Sequence, residues 1–382
     1  MWVNGRRKNS FEPLQRKSIW MHCASLGEFE QGRPVLEAIK AAYPDYPIVL
    51  SFFSPSGFEV RKNYPLADVV TYLPLDTPQK AVQFISQVNP ALVLWVKYEY
   101  WLNHLRILKQ KKIPVLLISG HFRKSQPFFK WYGGIWRRAL SGFDQLFVQH
   151  ESSIELLQQI KFHPKAMVSG DTRFDRVTQI AANTEPILKL EHFCANARII
   201  VAGSTWPKDE CILKEFIEKY PNHKLIVIAH EVNEKRSNEL KSTFPAGVFF
   251  SAYTEKADVN ARILVVDAMG WLSRIYRYAD IAYIGGGFNK GIHNTLEAAV
   301  FGKPVLFGPN YQKFKEAIEM IETGCAFYID NAEMLTERIK KLSEDEALYE
   351  RTCRKARAYV TQKTGATQVI MNYVKSNLLL TK

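Results

Sequence analysis

Residues 283–309 read "YIGGGFNKGIHNTLEAAVFGKPVLFGP", and this stretch decides the fold class of the chain. A short apolar run ends in three glycines, a polar segment follows, and a second apolar run is closed by Gly308 and Pro309. Short apolar runs bounded by glycine and proline indicate buried strands, and glycine permits a tight turn at a strand end. We therefore expect strands over 281–284 and 304–307, with a helix beginning near Ile292 and His293.

The loop between these two strands has the features of a nucleotide site. Gly286 and Gly287 would let a ligand approach the bare backbone, and the free N–H groups at the start of the next helix would face a phosphate. Glu297, one turn into that helix, would accept hydrogen bonds from a ribose diol. A simple glycine turn with a solvated Glu297 is the structural alternative, but the order of the segments favours the nucleotide site. The P-loop and G-x-G-x-x-G patterns do not fit, because there is no GK[ST] and the helix starts too late.

The same rhythm of apolar runs and amphipathic segments extends in both directions from this stretch. Further strand candidates lie at 19–24, 48–53, 69–73, 91–96, 113–119, 145–148, 166–168, 198–202, 224–229 and 263–266. Alternating strands and helices predict two doubly wound parallel sheets with helices on both faces. Residues 172–197 hold no strand pattern, so we predict an N-terminal domain over 1–180 and a C-terminal domain over 181–382 that ends in helices. Ligands of such folds bind at the carboxyl ends of the strands, which predicts a cleft between the two domains.

Composition indicates a globular protein with anionic partners. Of 382 residues, 51 are Lys or Arg and 38 are Asp or Glu, which leaves a net charge of 51 − 38 = +13. Such a balance favours nucleic acid, phosphorylated sugars or an anionic membrane face. The five cysteines are scattered, and we interpret them as reduced thiols. We find no apolar run of membrane-spanning length and no signal peptide. The histidines and cysteines show no metal-ligand spacing, so we expect neither a metal nor another cofactor.

Two further motifs in the second half follow strand candidates. "GSTWPKDE" at 203–210 indicates a strand end, a helix cap and a helix start. Ser204 and Thr205 would either cap that helix or donate hydrogen bonds to a phosphate, and the residues alone leave both roles open. "IAHEVNEKR" at 228–236 adds His230 at the same sheet edge.

The first half places two acidic residues after strands. In "WMHCASLGEFEQGRP", residues 20–34, Glu28 begins a helix directly after Ser25 and Gly27. A carboxylate at that position is often only a partner of the helix dipole, which would hold its pKa low. It would also suit a general base, although the residues alone favour the structural role. "LWVKYEYWLN", residues 94–103, adds Lys97 and Glu99.

Residues 121–138, "HFRKSQPFFKWYGGIWRR", combine five basic and six aromatic residues with no acid. Basic residues interleaved with aromatics suit the headgroup layer of a membrane or a nucleic acid. No nucleic-acid-binding motif accompanies them, so a membrane or an acidic amphiphile is the favoured partner. The structural alternative is a buried aromatic helix face with solvated charges.

In order along the chain, these motifs resemble those of the 3-deoxy-D-manno-octulosonic acid (Kdo) transferases of lipopolysaccharide synthesis. "ISGHFRKSQ", "VSGDTRFD" and "VVDAMGWLSRIYRYAD" add to the likeness, which runs from residue 2 to about residue 326 and looks like the Bacteroidetes variant. The resemblance implies a GT-B fold of two Rossmann-like domains. It also implies an inverting, metal-independent transfer of Kdo from CMP-Kdo to a lipid A precursor, lipid IVA.

The resemblance also implies roles for individual residues. Glu28 matches the general base and Glu99 matches a second acidic position. The implied nucleotide contacts are Ser204, Thr205, His230, Gly270, Trp271, Leu272, Gly286, Gly287, Asn294, Thr295, Leu296 and Glu297. The acceptor is expected beside Ser25, Gly27, Lys97, Ser119 and Arg123.

Two departures from the family pattern change the expectations. Many members carry Pro-Arg-His where this chain has Ile228, Ala229 and His230, so the arginine contact to CMP must be absent or supplied elsewhere. Members usually begin with a membrane helix before a segment like "WVNGRRK", which here follows Met1 directly. The resemblance then implies an enzyme at the cytoplasmic face of the inner membrane, in peripheral contact with it, and we expect that the anchor helix has been removed from this chain.

Two alternatives stay open from the residues. One is another GT-B enzyme, such as a sugar-nucleotide epimerase or a different glycosyltransferase. The other is a non-catalytic module that binds anionic lipid or nucleic acid through residues 122–138, although we expect no nucleic acid partner.

Overall fold

A computed structural model describes residues 11–97, 99–162, 165–195 and 197–381. The "WVNGRRK" segment, and with it the expected anchor junction, lies outside the described residues. The chain divides into two compact units, Met1–Arg176 with Lys363–Lys382, and Val177–Gln362. The division falls close to the predicted boundary at residue 180. The last twenty residues, however, belong to the first unit and not to the second.

The first unit contains a parallel sheet of seven strands in the order β3-β2-β1-β4-β5-β6-β7. These strands are β1 (Ser18–Cys23), β2 (Ile48–Phe52), β3 (Val69–Tyr72), β4 (Pro90–Val96), β5 (Val115–Gly120), β6 (Gln145–Val148) and β7 (Ala166–Val168). Every residue of β1, β2 and β5 is buried. Burial on both faces is the state expected of a parallel sheet covered by helices, and it explains why these strands are continuous apolar runs.

Within the described ranges, six α-helices connect the strands of this sheet in sequence, and a seventh follows the last strand. They are α1 (Leu26–Ala42), α2 (Pro55–Arg61), α3 (Pro78–Val88), α4 (Leu102–Gln110), α5 (Gly134–Leu140), α6 (Glu151–Gln159) and α7 (Thr172–Ala182), with a 3₁₀ turn at Pro127–Phe129. Their starts follow local chemistry, since Ser25, Ser54 and Thr77 cap α1, α2 and α3 with side-chain oxygens.

The second unit contains another parallel sheet of seven strands, in the order β10-β11-β9-β8-β12-β13-β14. They are β8 (Arg198–Thr205), β9 (His223–Ala229), β10 (Val248–Phe249), β11 (Ile263–Val265), β12 (Ile281–Ile284), β13 (Val305–Phe307) and β14 (Ala326–Tyr328). The two doubly wound parallel sheets confirm the predicted fold class. The sequence missed β10 and β14, which are only two and three residues long.

The helices of this part of the chain are α8 (Leu188–Cys194), α9 (Pro207–Lys219), α10 (Glu234–Thr243), α11 (Leu272–Ile275), α12 (Leu296–Ala299), α13 (Lys315–Thr323), α14 (Ala332–Glu344), α15 (Glu346–Thr361) and α16 (Ala366–Ser376). The predicted helix start near Ile292 was wrong. Residues 291–295 are irregular, and α12 is a single turn that begins at Leu296.

The C-terminal residues are helical from 332, as predicted, but α16 packs in the first unit. Ile370, Met371 and Val374 share a buried hydrophobic cluster with residues of α1 and of the first sheet. Asp175 also accepts hydrogen bonds from the backbone N–H groups of Gly365 and Thr367 at the start of α16. Across the described ranges, no helix is long and apolar enough to span a membrane.

Candidate functional site

In the first unit, β1 and β4 lie side by side although they are far apart in sequence. The chain leaves the sheet in opposite directions at such a switch point, which opens a crevice at the carboxyl ends of the strands. Glu28 follows β1 and Glu99 follows β4, so the two predicted acids meet at this edge. Coulombic interaction between their carboxyl groups contributes to the pKa of Glu28.

Glu28 is held by the backbone around the start of α1. Its carboxylate accepts a hydrogen bond from the N–H of Ala24 at 2.5 Å, and its own N–H donates to Ser25 Oγ at 3.5 Å. The arrangement resembles a capping box moved by one residue. The predicted site residue Ser25 is therefore the N-cap of α1, and exposed Gly27 occupies the first turn.

Burial raises the pKa of Glu28 to about 7 from an ordinary value of 4.5. The negative charge of Glu99 raises it further, whereas the N–H of Ala24 and the ammonium of Lys97 oppose the shift. This outcome differs from the sequence expectation that the helix dipole would keep the pKa low. Desolvation outweighs the dipole, because a buried carboxylate loses its hydration whatever the direction of the helix.

A buried chain of side chains holds Glu99. Trp20 Nε1–H donates to Ser51 Oγ at 2.8 Å, and Ser51 Oγ lies 2.9 Å from His22 Nδ1. His22 Nε2 lies 3.2 Å from Glu99 Oε2, and Trp101 Nε1–H donates to the same oxygen at 2.8 Å. Burial lowers the pKa of His22, so the ring is neutral at physiological pH.

The direction of this chain follows from its ends. An indole N–H only donates, so Ser51 accepts from Trp20 and can donate its own proton to His22 Nδ1. The proton of His22 then resides on Nε2 and is donated to the Glu99 carboxylate. The chain therefore fixes both the orientation of Glu99 and the tautomer of His22.

The other predicted residues of the first unit lie at the same sheet edge with different exposures. Lys97 directly follows β4 in a left-handed conformation (φ 62°). Burial acts to raise the pKa of the nearby Asp171, but Arg173 and, to a smaller extent, Lys97 bring that pKa below its ordinary value. Ser119 is fully buried, and its hydroxyl lies 2.7 Å from that of Thr172. Arg123 is exposed in the loop after β5.

In the second unit the switch point lies between β8 and β12. The "GSTWPKDE" and Gly-Gly-Gly motifs follow these strands and meet at Asp209. This buried carboxylate accepts hydrogen bonds from the N–H groups of Trp206 and Gly286, both at 2.9 Å, and from Tyr283 O–H at 2.6 Å. Asp209 thus ties the two predicted nucleotide loops together.

The three consecutive glycines are required by contacts within the protein. A Cβ atom on Gly285 would clash with the backbone of Ser204, and one on Gly286 would lie 2.5 Å from the carbonyl oxygen of Gly291. A Cβ on Gly287 would lie 2.5 Å from the backbone nitrogen of Gly308. The end of β8 and the loops after β12 and β13 therefore pack so closely that there is no room for a Cβ atom, and the glycines are needed for this packing as well as for the approach of a ligand.

Three rings stack beside these loops. The planes of Trp206 and His230 are 5.0 Å apart between centroids, and those of His230 and His293 are 4.3 Å apart. Trp206 Nε1–H donates to His293 Nε2 at 3.3 Å. Burial and the neighbouring His230 lower the pKa of His293 to about 4, so this ring is neutral. His230 was predicted from the sequence, whereas Trp206 and His293 were given no role as contacts.

The remaining predicted nucleotide residues differ in what their side chains do. Ser204 adopts a left-handed conformation (φ 55°) at an irregularity of β8, and Thr205 O–H donates to buried Glu210 at 2.8 Å. Asn294 Nδ2–H donates to Glu297 Oε1 at 3.0 Å. Leu296 and Thr295 are buried, whereas Gly270, Trp271 and Leu272 are exposed or half-buried at the start of α11.

Within the described parts of the chain, no group of three or more His, Cys, Asp or Glu side chains is arranged to hold a metal ion. The cluster of titratable groups at each switch point consists of carboxylates with histidine or lysine neighbours. Sequence reasoning gave no role to His22, Asp209 or Asp171, although each lies inside a quoted motif, because their partners Glu99, Gly286 and Lys97 are distant along the chain. Their common signal is a polar residue at the end of a buried strand or in the next helical turn.

Solved structures with a similar fold are GT-B enzymes. A putative UDP-N-acetylglucosamine 2-epimerase from Listeria monocytogenes has a TM-score of 0.66 at 15% identity, covering 96% of this chain and 98% of that one. A glycosyltransferase from Rickettsia africae has a TM-score of 0.61 at 16% identity, covering 96% and 99%. The fold is therefore of the GT-B type, with two Rossmann-like units.

Comparison of sequences narrows this class. The family model described as "3-Deoxy-D-manno-octulosonic-acid transferase (kdotransferase)" matches residues 4–176, and the model "Glycosyl transferases group 1" matches residues 213–359. A 3-deoxy-D-manno-octulosonic acid transferase from Aquifex aeolicus is 29% identical, covering 86% of this chain and 85% of that protein. One from Haemophilus influenzae is 26% identical, covering 95% and 87%. The chain is a glycosyltransferase, and its residues 4–176 match the Kdo transferase family.

Proposed function

We propose that the protein transfers Kdo from CMP-Kdo to a lipid A precursor, with inversion at the anomeric carbon, without a metal, and with Glu28 as general base. The observation that carries this proposal is the carboxyl group of Glu28, which lies at the switch point of the first sheet with a pKa of about 7. A base is most effective when its pKa is near the working pH, and one that is half ionised at neutrality meets this condition.

In the proposed reaction, the ionised Glu28 takes the proton of an acceptor hydroxyl. The hydroxyl oxygen attacks the anomeric carbon of Kdo, and the bond from that carbon to the phosphate oxygen of CMP breaks. CMP leaves with the bonding electron pair. Glu99, oriented by His22 and Trp101, keeps a second carboxylate beside the base and Lys97 balances part of that charge.

The second unit is proposed to bind the CMP group through the loops after β8 and β12. Ser204 and the backbone of Gly286 and Gly287 would face the phosphate, and the Asn294–Glu297 pair would face the ribose. A helix of one turn such as α12 offers little dipole, so we assign the phosphate charge to Lys208. Its ammonium lies 5.2 Å from the ring centroid of Phe288, the residue that directly follows the three glycines. In this proposal Lys208 takes the role of the arginine that many family members carry.

Product mass tests this function. The protein is incubated with a tetra-acylated lipid A precursor and with CMP-Kdo formed in situ, and the acceptor is weighed by mass spectrometry. We expect a gain of one or more Kdo units with the native chain and none with Glu28→Gln. Glu59→Gln, an exposed acid of α2 in the same unit, serves as the matched control and should retain the product.

An unchanged acceptor mass with the native chain, despite CMP binding, would refute the transfer and favour other GT-B chemistry. A full product yield with Glu28→Gln would refute the base and leave Glu99 as the candidate. CMP binding by Glu28→Gln, measured by calorimetry, shows that the second unit of the variant is intact, and a far-ultraviolet circular dichroism spectrum equal to that of the native chain shows that the first unit is folded too.

A further inference from the structure

The basic and aromatic segment at 121–138 divides its rings between the interior and the surface. Phe122 and Phe128 are 2% exposed and belong to the core of the first unit. Trp131 is 92% exposed, Tyr132 51% and Trp136 37%. Half of the segment thus fits the buried alternative considered from the sequence, and the other half leaves large apolar rings in water.

The exposed rings form one continuous surface. The centroids of Trp131 and Tyr132 are 5.6 Å apart, and those of Tyr132 and Trp136 are 6.2 Å apart. Ile135, 45% exposed, lies next to Trp136 on the short helix α5. We call these four residues the aromatic patch. Contiguous apolar groups of this size on a soluble surface mark an interaction site.

A basic depression of about 340 Å³ adjoins the aromatic patch and shares Ile135 with it. Its lining consists of Leu102, Asn103, Arg106, Lys109, Ile135, Arg138, Ser141 and Gly142. Three of these residues are cations and none is an acid. Lys109 donates to the carbonyl of Ser141 and Arg106 to the amide oxygen of Asn103, and neither contact neutralises a charge.

We propose that the aromatic patch and the basic depression form a docking surface for the anionic headgroup layer of a lipid bilayer. The proposal deepens the proposed function, from which it takes a lipid acceptor. Tryptophan and tyrosine prefer the interface between water and hydrocarbon, and each cation near an anionic leaflet adds attraction. Leu102 and Ile135 add apolar atoms to a lining that also holds three cations, which suits a phosphate joined to acyl chains better than a nucleic acid backbone.

Residues 99–102 connect the docking surface to the candidate site in the same unit. Tyr100 packs against Phe128 with centroids 4.7 Å apart, at the base of the segment that carries Trp131. Trp101 N–H binds the carboxylate of Glu99, and the next residue, Leu102, lines the depression. The residues that would hold a lipid at this surface therefore begin three positions after Glu99, the second acid of the site.

Binding to vesicles without acceptor tests the proposal. Sedimentation with vesicles of phosphatidylcholine and phosphatidylglycerol in equal amounts should capture the native chain, and vesicles of phosphatidylcholine alone should capture much less. Arg106→Gln with Arg138→Gln should weaken the capture about 30-fold, at roughly fivefold for each charge removed. Trp131→Ser with Trp136→Ser should also weaken it, and brominated lipid should quench the tryptophan emission of the native chain but not that of Trp131→Phe with Trp136→Phe.

Two variants serve as matched controls. Arg351→Gln with Lys355→Gln removes two exposed cations of α15, and Leu378→Ser removes an exposed apolar side chain of the first unit. Both should bind vesicles as the native chain does. We call the paired arginine and the paired tryptophan variants the patch variants. Vesicle binding equal to that of the controls would overturn the proposal. A loss of oligonucleotide binding in the patch variants, with vesicle binding unchanged, would overturn it too.

Transfer assays separate this proposal from the proposed function. The patch variants should use an acceptor dispersed in detergent at the native rate but should be slow with an acceptor embedded in vesicles. Vesicle capture without any transfer by the native chain would leave the docking surface valid and refute the enzyme activity. Transfer by the native chain without vesicle capture would refute the docking surface and leave the enzyme activity valid.

Discussion

At the scale of single residues, the carboxyl group of Glu28 links activity to pH. Its pKa of about 7 results from burial and from the charge of Glu99. As a base it must be ionised, so we expect kcat/KM to fall about tenfold for each pH unit below 7 and to level off above it. The measurement is transfer rate against pH at low acceptor concentration. A limb centred near the ordinary value of 4.5 would contradict the raised pKa.

His22 should move this pH profile without touching the substrate. His22→Phe removes the N–H that is donated to Glu99, so the carboxylate loses this hydrogen bond and keeps the one from Trp101. We expect a lower kcat and an acid limb shifted from that of the native chain, because the charge beside Glu28 is no longer fixed. CMP affinity, which we propose to depend on the second unit, is the control and should stay unchanged. A fall in rate with an unmoved limb would show that His22 acts only in packing.

Glu28 also lowers stability at alkaline pH. Because its folded pKa is raised, the protonated form stabilises the fold fully below pH 4.5, and that contribution is lost as the pH rises through about 7. Glu28→Gln keeps an oxygen for the N–H of Ala24 and removes the charge. We expect a higher Tm than the native chain at pH 8 and a small difference near pH 5. A Tm below the native value at pH 8 would contradict this account, and Glu59→Gln should leave Tm unchanged.

At the scale of elements, Asp209 joins the end of β8 to the loop after β12. It accepts three hydrogen bonds from Trp206, Tyr283 and Gly286 while fully buried. Asn has one acceptor oxygen and would point an N–H₂ group at other donors. We expect Asp209→Asn to lower the free energy of unfolding by about 1–3 kcal/mol and to weaken CMP binding.

The glycine loop provides the matched comparison. Gly287→Ala would place a Cβ 2.5 Å from the backbone of Gly308, whereas Gly134→Ala at the start of α5 would meet no atom within 4 Å. The first should cost about 1–3 kcal/mol and the second should not destabilise. Equal Tm values for the two variants would show that the loops are not packed as described.

At the scale of the whole molecule, the last helix, α16, completes the hydrophobic core of the first unit, although it follows the second unit in sequence. Ile370 of α16 is fully buried with α1 and the first sheet. Ile370→Ala should cost about 2–5 kcal/mol, and hydrogen exchange should locate the loss of protection in the first unit. Gln368→Ala, an exposed position of the same helix, is the control. Faster exchange confined to residues 177–362 would contradict the assignment of α16 to the first unit.

Strands were predicted well because a parallel strand buried on both faces is a continuous apolar run. The runs at 145–148, 166–168 and 281–284 match observed strands residue by residue. Helix α12 was placed too early because His293 accepts a hydrogen bond from distant Trp206, while the side chain of Asn294 accepts one from the N–H of Leu296 and so marks the helix start there. The acids Glu28 and Glu99 were found by their position after strands, but the chain through His22 that orients Glu99 was not, since its members lie 29 and 77 residues apart.

The sequence by itself determined the fold class, the family and the place of the candidate acids. Apolar runs, glycines and capping residues act locally, so they can be recognised wherever they occur. Only the tertiary structure decided that Glu28 titrates near neutrality, that α16 completes the first unit and that Trp131 and Trp136 face water while Phe128 does not. Desolvation and packing depend on residues that are distant along the chain, and a local pattern carries no record of which distant residues will surround it.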